Sequence, residues 1–267
     1  GMPWQEGDEI ITFGLEHSSV LIPAYSLKTR LGVVIKVLEL EPNETEDTII
    51  SKLESNITNK TRLVFSSHIQ YTSGLRMPVN SIRELTKSRG VKMLLDGAQT
   101  AGHIDLNLHE LDCDFYSIPA QKWLLGPDGV GALYVRRDNI PYLQPTRVSG
   151  RAALSYDDQG NYDPNNDSLD KFRLTTKSAP LSAGFSAAIR FVQNIGMGSV
   201  ENRALELSGK LKNMLDVIPK VTVLSPRDKL LSSGLTAFQI QGLEPDEAVD
   251  KLWRDHNIVS RQVKEIS

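Results

Sequence analysis

The feature that most constrains this chain is an alternation of short β-branched and apolar runs with segments of helical spacing. The runs are Glu9–Phe13, Val33–Leu38, Arg62–Ser66, Val91–Leu95, Asp114–Ser117 and Gly131–Val135. Several are apolar on consecutive positions, which predicts strands buried on both faces. Between them, Ser18–Leu31, Thr45–Leu53 and Asn80–Ser88 carry helical patterns. Ile49, Ile50 and Leu53 share one face of the second, Ile82 and Leu85 one face of the third, and Gly90 stops it. This order implies an α/β fold, a mostly parallel sheet sandwiched by helices.

From Arg151 to Lys177 the pattern breaks into a polar stretch, which reads as an ordered excursion or exposed loop, with linker and functional loop both open. Pro180–Asn194 and Ser199–Leu215 read as longer helices. Beyond Pro219, strands Val221–Leu224 and Leu235–Ile240, a helix Asp246–His256 and a final strand from Ile258 predict a small α+β unit. The expected division is a large domain over residues 1–198, incomplete at its N-terminus, and a small, also incomplete, C-terminal domain over residues 199–267.

Composition narrows the function classes. Lys+Arg 30 against Asp+Glu 33 leaves a net charge of -3 with no basic stripe, so neither nucleic acid nor an acidic membrane is an expected partner. No apolar run approaches the roughly 20 residues that span a bilayer, and the N-terminus is no signal peptide. The one cysteine, Cys113, excludes an intrachain disulfide and the paired thiols of a structural zinc site. A cytoplasmic location is expected.

The chemistry gathers in Leu94-Leu95-Asp96-Gly97-Ala98-Gln99-Thr100 and, further on, Pro119-Ala120-Gln121-Lys122-Trp123. Asp96 ends an apolar strand, so its carboxylate emerges at the carboxyl edge of a parallel sheet, where open α/β folds bind ligands. Lys122 follows another strand among apolar neighbours, where desolvation lowers the pKa of an amine and makes it nucleophilic. A carboxylate for a protonated ring nitrogen and a lysine for an imine are the two protein groups that pyridoxal phosphate chemistry requires. Each residue alone also has an ordinary reading: a turn residue for Asp96, a solvated side chain for Lys122, a hairpin turn for Gly126, Gly129 and Gly131.

In these segments the chain resembles the class V aminotransferases, fold-type I pyridoxal phosphate enzymes that include cysteine desulfurases, kynureninases and isopenicillin N epimerase-like proteins. The stretch "LLDGAQTAGHIDLNLHELDCDFYSIPAQKWLLGPDGVGALYV" follows the family's order and spacing, and "GDEIITFGLEHSSVLIP" is similar to its histidine-bearing segment. The resemblance implies Lys122 as the catalytic Schiff-base lysine and Asp96 as partner of the pyridine nitrogen. It further implies Gln99 as donor to the phenolic oxygen, His17 as the ring stacked on the cofactor, and Thr176 as a phosphate contact reaching across a homodimer. Alternatives remain open: a loop histidine for His17, and a helix cap before Pro180 for Thr176.

The chain also departs from the family. Gln121 stands where relatives carry histidine and can still donate to the cofactor, and Tyr71, in "SSHIQYTSGLRMP", stands where they often carry asparagine and would contact the cofactor differently; a tyrosine packed in a loop with a wet hydroxyl is the plainer reading. No glycine–threonine phosphate loop precedes Gly7, and Arg261 falls earlier than the family's carboxylate-binding arginine. The expected function is therefore pyridoxal phosphate chemistry at the α-amino group of an amino-acid substrate: aminotransferase, epimerase or lyase. The alternative is a truncated, non-catalytic remnant with a structural or dimerising role. A desulfurase outcome is disfavoured, because it needs a reactive cysteine and Cys113 sits in a buried-looking run. His68, His103, His109 and His256 show no ligand spacing and receive no role.

Overall fold

A computed structural model describes residues 1–174 and 176–266. The central strands are β1 (Glu9–Phe13), β2 (Val34–Leu38), β3 (Thr61–Ser67), β4 (Lys92–Asp96), β5 (Phe115–Pro119) and β6 (Gly131–Val135), in the spatial order β2-β1-β3-β4-β5-β6. Helices α1 (Ser18–Leu31), α2 (Glu46–Asn56), α3 (Val79–Ser88) and the short α4 (Leu108–Leu111) make the crossovers. All neighbours run parallel except β6, which pairs antiparallel with β5. The chain moves one way from β1 to β2 and the other way to β3. The carboxyl ends of β1 and β3 therefore flank a topological switch point.

Side-chain alternation sends the central strands into two cores. Ile11, Phe13, Val64, Met93 and Leu95 meet Ile49 and Leu53 of α2 and Val79 and Ile82 of α3. On the other face Ile10, Leu63 and Phe115 meet Val33 and Leu143, with Leu27 of α1 packed against them. Burial on both faces holds for β1 and β3 and fails at the edges, where Val34 and Val37 of β2 and Leu133 of β6 are exposed. The helices begin and end where local chemistry directs. Thr45 accepts the Thr48 N–H ahead of Glu46 and Asp47 in the first turn of α2, and Gly32 closes α1 at φ 67°.

Buried Asp114 cross-links one end of the sheet. Its carboxylate accepts hydrogen bonds from Arg83 (2.9 Å), Asn139 (2.9 Å) and the Met93 N–H (3.0 Å), and Arg136 lies 3.0 Å away. This set joins α3, β4 and the segment after β6 at the edge opposite the carboxyl ends of the parallel strands.

The polar stretch after Arg151 is ordered: β7 (Ala153–Tyr156) and β8 (Tyr162–Pro164) form a hairpin. Asp157 closes its turn by accepting from the Gln159 and Asn161 N–H groups. Helices α5 (Ala179–Ile195) and α6 (Met197–Asp216) follow, then the antiparallel pair β9 (Val221–Val223) and β10 (Phe238–Ile240) and helix α7 (Pro245–His256). The strand expected from Ile258 is not formed. After α7 the chain turns at Asn257 (φ 53°) and runs to a 3-10 turn at Lys264–Ile266 without pairing to β9 or β10, because its side chains are engaged at the carboxyl edge of the main sheet instead. Among the described residues no helix is long and apolar enough to cross a membrane.

Candidate active site

Asp96 and Ser117 are paired in register at the ends of β4 and β5, and Ser67 of β3 is paired with Asp96 on the other side. Asp96 Oδ1 accepts the Ala98 N–H (2.9 Å) and the Ser117 hydroxyl (3.2 Å), which fixes the carboxylate and leaves Oδ2 without a partner among the described residues. The turn after it depends on Gly97: a Cβ there would lie 2.0 Å from the Tyr116 ring and 2.7 Å from the Ser117 carbonyl oxygen. No side chain fits, so the chain can leave the strand end here only with glycine.

Lys122 stands on the loop from β5 to β6. The Leu125 N–H bonds the Lys122 carbonyl (3.0 Å), the Gly126 N–H bonds the Ala120 carbonyl (2.8 Å), and Leu125 is held at φ 58°. A left-handed leucine costs about 1–2 kcal/mol, which this tightly bonded turn sustains. The Lys122 amine is half-buried and makes no hydrogen bond or ion pair among the described residues. Burial lowers its pKa, the Asp96 carboxylate opposes that shift, and the Arg261 guanidinium adds to it. Lys122 also lines a cavity of about 440 Å³ with Gly102, Trp123, Leu125, Val192, Ile195 and Val200.

Gln99 lies in the turn after Asp96. Its Oε1 accepts the Trp123 indole N–H (2.9 Å), leaving the amide nitrogen as the group available to a ligand. His17 is both a cap and a ring: Nδ1 accepts from the Ser19 N–H (3.1 Å) and hydroxyl (2.8 Å) at the start of α1. Its ring meets Tyr71 edge-on, with centroids 5.0 Å apart. Tyr71 donates its hydroxyl to Glu265, and Arg261 lies over its ring at 4.8 Å. Burial and then Glu265 raise the Tyr71 pKa to about 12. The wet-hydroxyl reading of Tyr71 is thus replaced by a bonded one, and Arg261, which its position in the sequence set aside, stands beside Tyr71 and within electrostatic reach of Lys122.

The structure therefore brings Lys122, Asp96, Gln99, His17 and Tyr71 to one edge. Gln121 is exposed beside Lys122, and Thr176 is exposed on the approach to α5. The cap of α5 is Ser178, which accepts the Leu181 N–H, so Thr176 is free of the capping role. Cys113 is wholly buried before β5, where burial and neighbouring Asp114 push its thiol up to about 12.

One residue at this edge escaped the sequence reading. Glu16, wholly buried, accepts from the Ser67 N–H (2.8 Å), the Ser67 hydroxyl (2.5 Å) and the Gln70 amide (2.8 Å). It ties the segment carrying His17 to the segment carrying Tyr71 across the switch point. Burial raises its carboxyl to about 7 against these donors. Its only sequence signal was a glutamate directly before His17.

A free Asp96 oxygen, an unpartnered amine and a flanking imidazole fit the ring half of pyridoxal phosphate. For its phosphate half, exposed Gln121 and Thr176 are the donors among the residues singled out.

Comparisons with known proteins agree. A probable cysteine desulfurase of Halalkalibacterium halodurans is 31% identical over 251 residues, covering 94% of this chain and 60% of the relative. A cysteine desulfurase of Escherichia coli is 28% identical over 236 residues, covering 88% of this chain and 56% of the relative. The chain thus spans a little over half the length of these relatives. Among solved structures, the cystine C–S lyase C-DES in complex with cysteine persulfide superposes with a TM-score of 0.86 at 28% identity, covering 98% of this chain and 70% of that one. An apo cysteine desulfurase of Thermococcus onnurineus gives 0.83 at 27%, covering 97% and 63%. Class V enzymes use pyridoxal phosphate. Residues 1–262 match the family model for Aminotransferase class-V, and the chain belongs to that family.

Proposed function

We propose that this chain carries the cofactor site of a pyridoxal phosphate enzyme acting at the α-carbon of an amino acid, with Lys122 as its catalytic base. The observation that carries the reading is the half-buried, unpartnered Lys122 amine at the same sheet edge as a carboxylate with a free oxygen. The bound cofactor would supply an electron sink for the pair released when a bond to the α-carbon breaks.

The protein's part follows from its own groups. Lowered by burial, Lys122 Nζ spends more time neutral than a solvated lysine, so it can take a proton from the α-carbon and return it. Asp96 Oδ2 would hold the proton on the pyridine nitrogen, with Oδ1 already fixed by Ala98 and Ser117. The Gln99 amide would donate to the phenolic oxygen, and His17 would cover the ring. Gln121 would contact the phosphate, and Thr176 the phosphate of the second subunit in a homodimer. Arg261, with Tyr71 beneath it, is the group suited to a substrate carboxylate. This reading keeps a division into a large cofactor unit and a smaller C-terminal unit near residue 198.

Relatives that are cysteine desulfurases or a cystine C–S lyase favour a sulfur amino acid as substrate. The one thiol of this chain, Cys113, is buried and held protonated, so it is not suited to receive sulfur from such a substrate. Titration with pyridoxal phosphate tests the assignment. A visible absorbance band should appear, be fixed onto Lys122 by borohydride reduction, and be lost in Lys122→Ala. No band at millimolar cofactor refutes it.

A further inference from the structure

His103 received no role from its spacing, yet it is the most connected side chain next to the site. It is wholly buried. Its ring lies flat on the Trp123 ring, with centroids 3.9 Å apart and planes 11° apart. Nδ1 donates to the Gln99 carbonyl (2.8 Å) and Nε2 accepts the N–H of Gly234 (3.0 Å), so both nitrogens are used and the tautomer is fixed. The loop is closed by Trp123, whose indole N–H bonds the Gln99 side chain (2.9 Å). Three residues on two separate turns therefore lock one another, and the two turns are those of Asp96–Gln99 and of Lys122.

Gly234 belongs to the segment between β9 and β10, far from these turns in sequence. That segment is itself anchored on the loop that carries Tyr71: Ser233 donates to the Gly74 carbonyl (2.7 Å) and Ser225 to the Ser73 carbonyl (2.5 Å). The approach to His103 has no slack. A Cβ on Gly234 would lie 2.7 Å from His103 Nε2 and 3.0 Å from the Ala204 Cβ on α6. The neighbouring backbone of Gly102, at φ +88°, is equally tight, since a Cβ there would lie 2.6 Å from the Trp123 carbonyl carbon.

We propose that His103 is a positioning residue that couples the seat of the C-terminal segment at Gly234 to the direction and dryness of Lys122, through its stack on Trp123 and its bond to Gln99. It touches neither substrate nor cofactor. Acting through Trp123, it keeps one wall of the cavity beside Lys122 closed, and a shift of the 225–237 segment is passed to the amine. Glu201 and Arg76 are the charged groups that face the imidazole, and burial keeps the ring neutral, as acceptance from Gly234 requires.

The inference rests on Lys122 being the reactive amine, but its test does not need the cofactor. The probe is acetic anhydride, used to label every lysine of the apo protein across a pH series, with site rates read by mass spectrometry. Two variants are compared with wild type: His103→Phe, which keeps a ring on Trp123 and deletes both hydrogen bonds, and Gly234→Ala, which leaves His103 intact and displaces its partner. In both, Lys122 should label roughly threefold more slowly near neutral pH and follow a profile moved toward that of a solvated lysine, because water gains access to the amine. Lys171, buried elsewhere against the Ile140 and Asn166 carbonyls, should be unchanged. An unmoved Lys122 profile in Gly234→Ala, or in a His103→Phe that melts like wild type, overturns the coupling even if wild type shows the cofactor band. A moved profile in a protein that never shows the band leaves the coupling standing and removes the cofactor reading.

Discussion

Glu16 offers a quantitative test of the switch-point geometry. Its carboxyl lies wholly buried with three donors aimed at it, and the balance raises it from 4.5 to about 7. Between those values the folded chain holds a proton that the unfolded chain has released. Unfolding therefore releases a proton, and stability falls as pH rises through the window. The stabilisation is fully present below about 4.5 and is lost as pH passes about 7. At about 1.4 kcal/mol per pH unit the change amounts to roughly 3 kcal/mol. Glu16→Gln keeps the length and shape and cannot titrate, while its amide nitrogen adds a pH-independent offset by facing other donors. Urea unfolding of both proteins from pH 4.5 to 8, followed by circular dichroism, gives the difference in stability at each pH, in which histidines and surface carboxylates cancel. The wild type should lose roughly 3 kcal/mol relative to the variant across that range. A flat difference would show that Glu16 is ionised throughout, and the account of a burial-dominated carboxyl at the hinge of His17 and Tyr71 would fail.

Three further outcomes follow from the same geometry. Gly97→Ala places a methyl group 2.0 Å from the Tyr116 ring, so it should cost about 2 kcal/mol or more in thermal or denaturant unfolding; a variant within 0.5 kcal/mol of wild type, roughly the scatter of neutral surface changes, would show that the turn can open. Cys113 should resist a thiol reagent in the native protein and react only on unfolding, and prompt stoichiometric labelling under native conditions would contradict its burial. Arg261→Ala should raise KM for an amino-acid substrate with little effect on the cofactor band, whereas an unchanged KM would remove Arg261 from substrate binding.

How much of this was legible in the chain depends on the range of the interactions. The strands Glu9–Phe13 and Gly131–Val135 and the helix Ser18–Leu31 are found where apolar runs and helical spacing place them, because each is specified by neighbours along the sequence. Asp96 and Lys122 were legible as chemistry for a related reason: each ends or follows an apolar strand, and parallel order alone carries both to one edge. The β7/β8 hairpin was hidden by its polarity, since its turn is stabilised by Asp157 rather than by burial. Glu16 and His103 were illegible because their meaning lies in partners far away: Ser67 and Gln70 for the first, Gly234 for the second.

The C-terminal segment shows how such partners redirect a chain. Ile258–Val263 has the β-branched residues of a strand, and its sequence alone places it on the β9–β10 ribbon. A two-stranded ribbon offers a third strand little apolar surface, and backbone pairing contributes only about 1 kcal/mol per hydrogen bond. At the main sheet the same segment finds a cation–ring contact between Arg261 and Tyr71 and a charge-assisted bond from Tyr71 to Glu265, with Ile266 packed against the larger core. Cation–ring contacts contribute about 0.5–2 kcal/mol and hydrogen bonds to charged groups about 1.5–3 kcal/mol, and the packing of Ile266 adds apolar burial that the ribbon lacks, which favours the docked path. The consequence is chemical as well as structural. The preference that denies the ribbon its third strand delivers the one guanidinium felt by the Lys122 amine, so the carboxylate-binding group of the proposed site is assembled by the same contacts that unmake the expected strand.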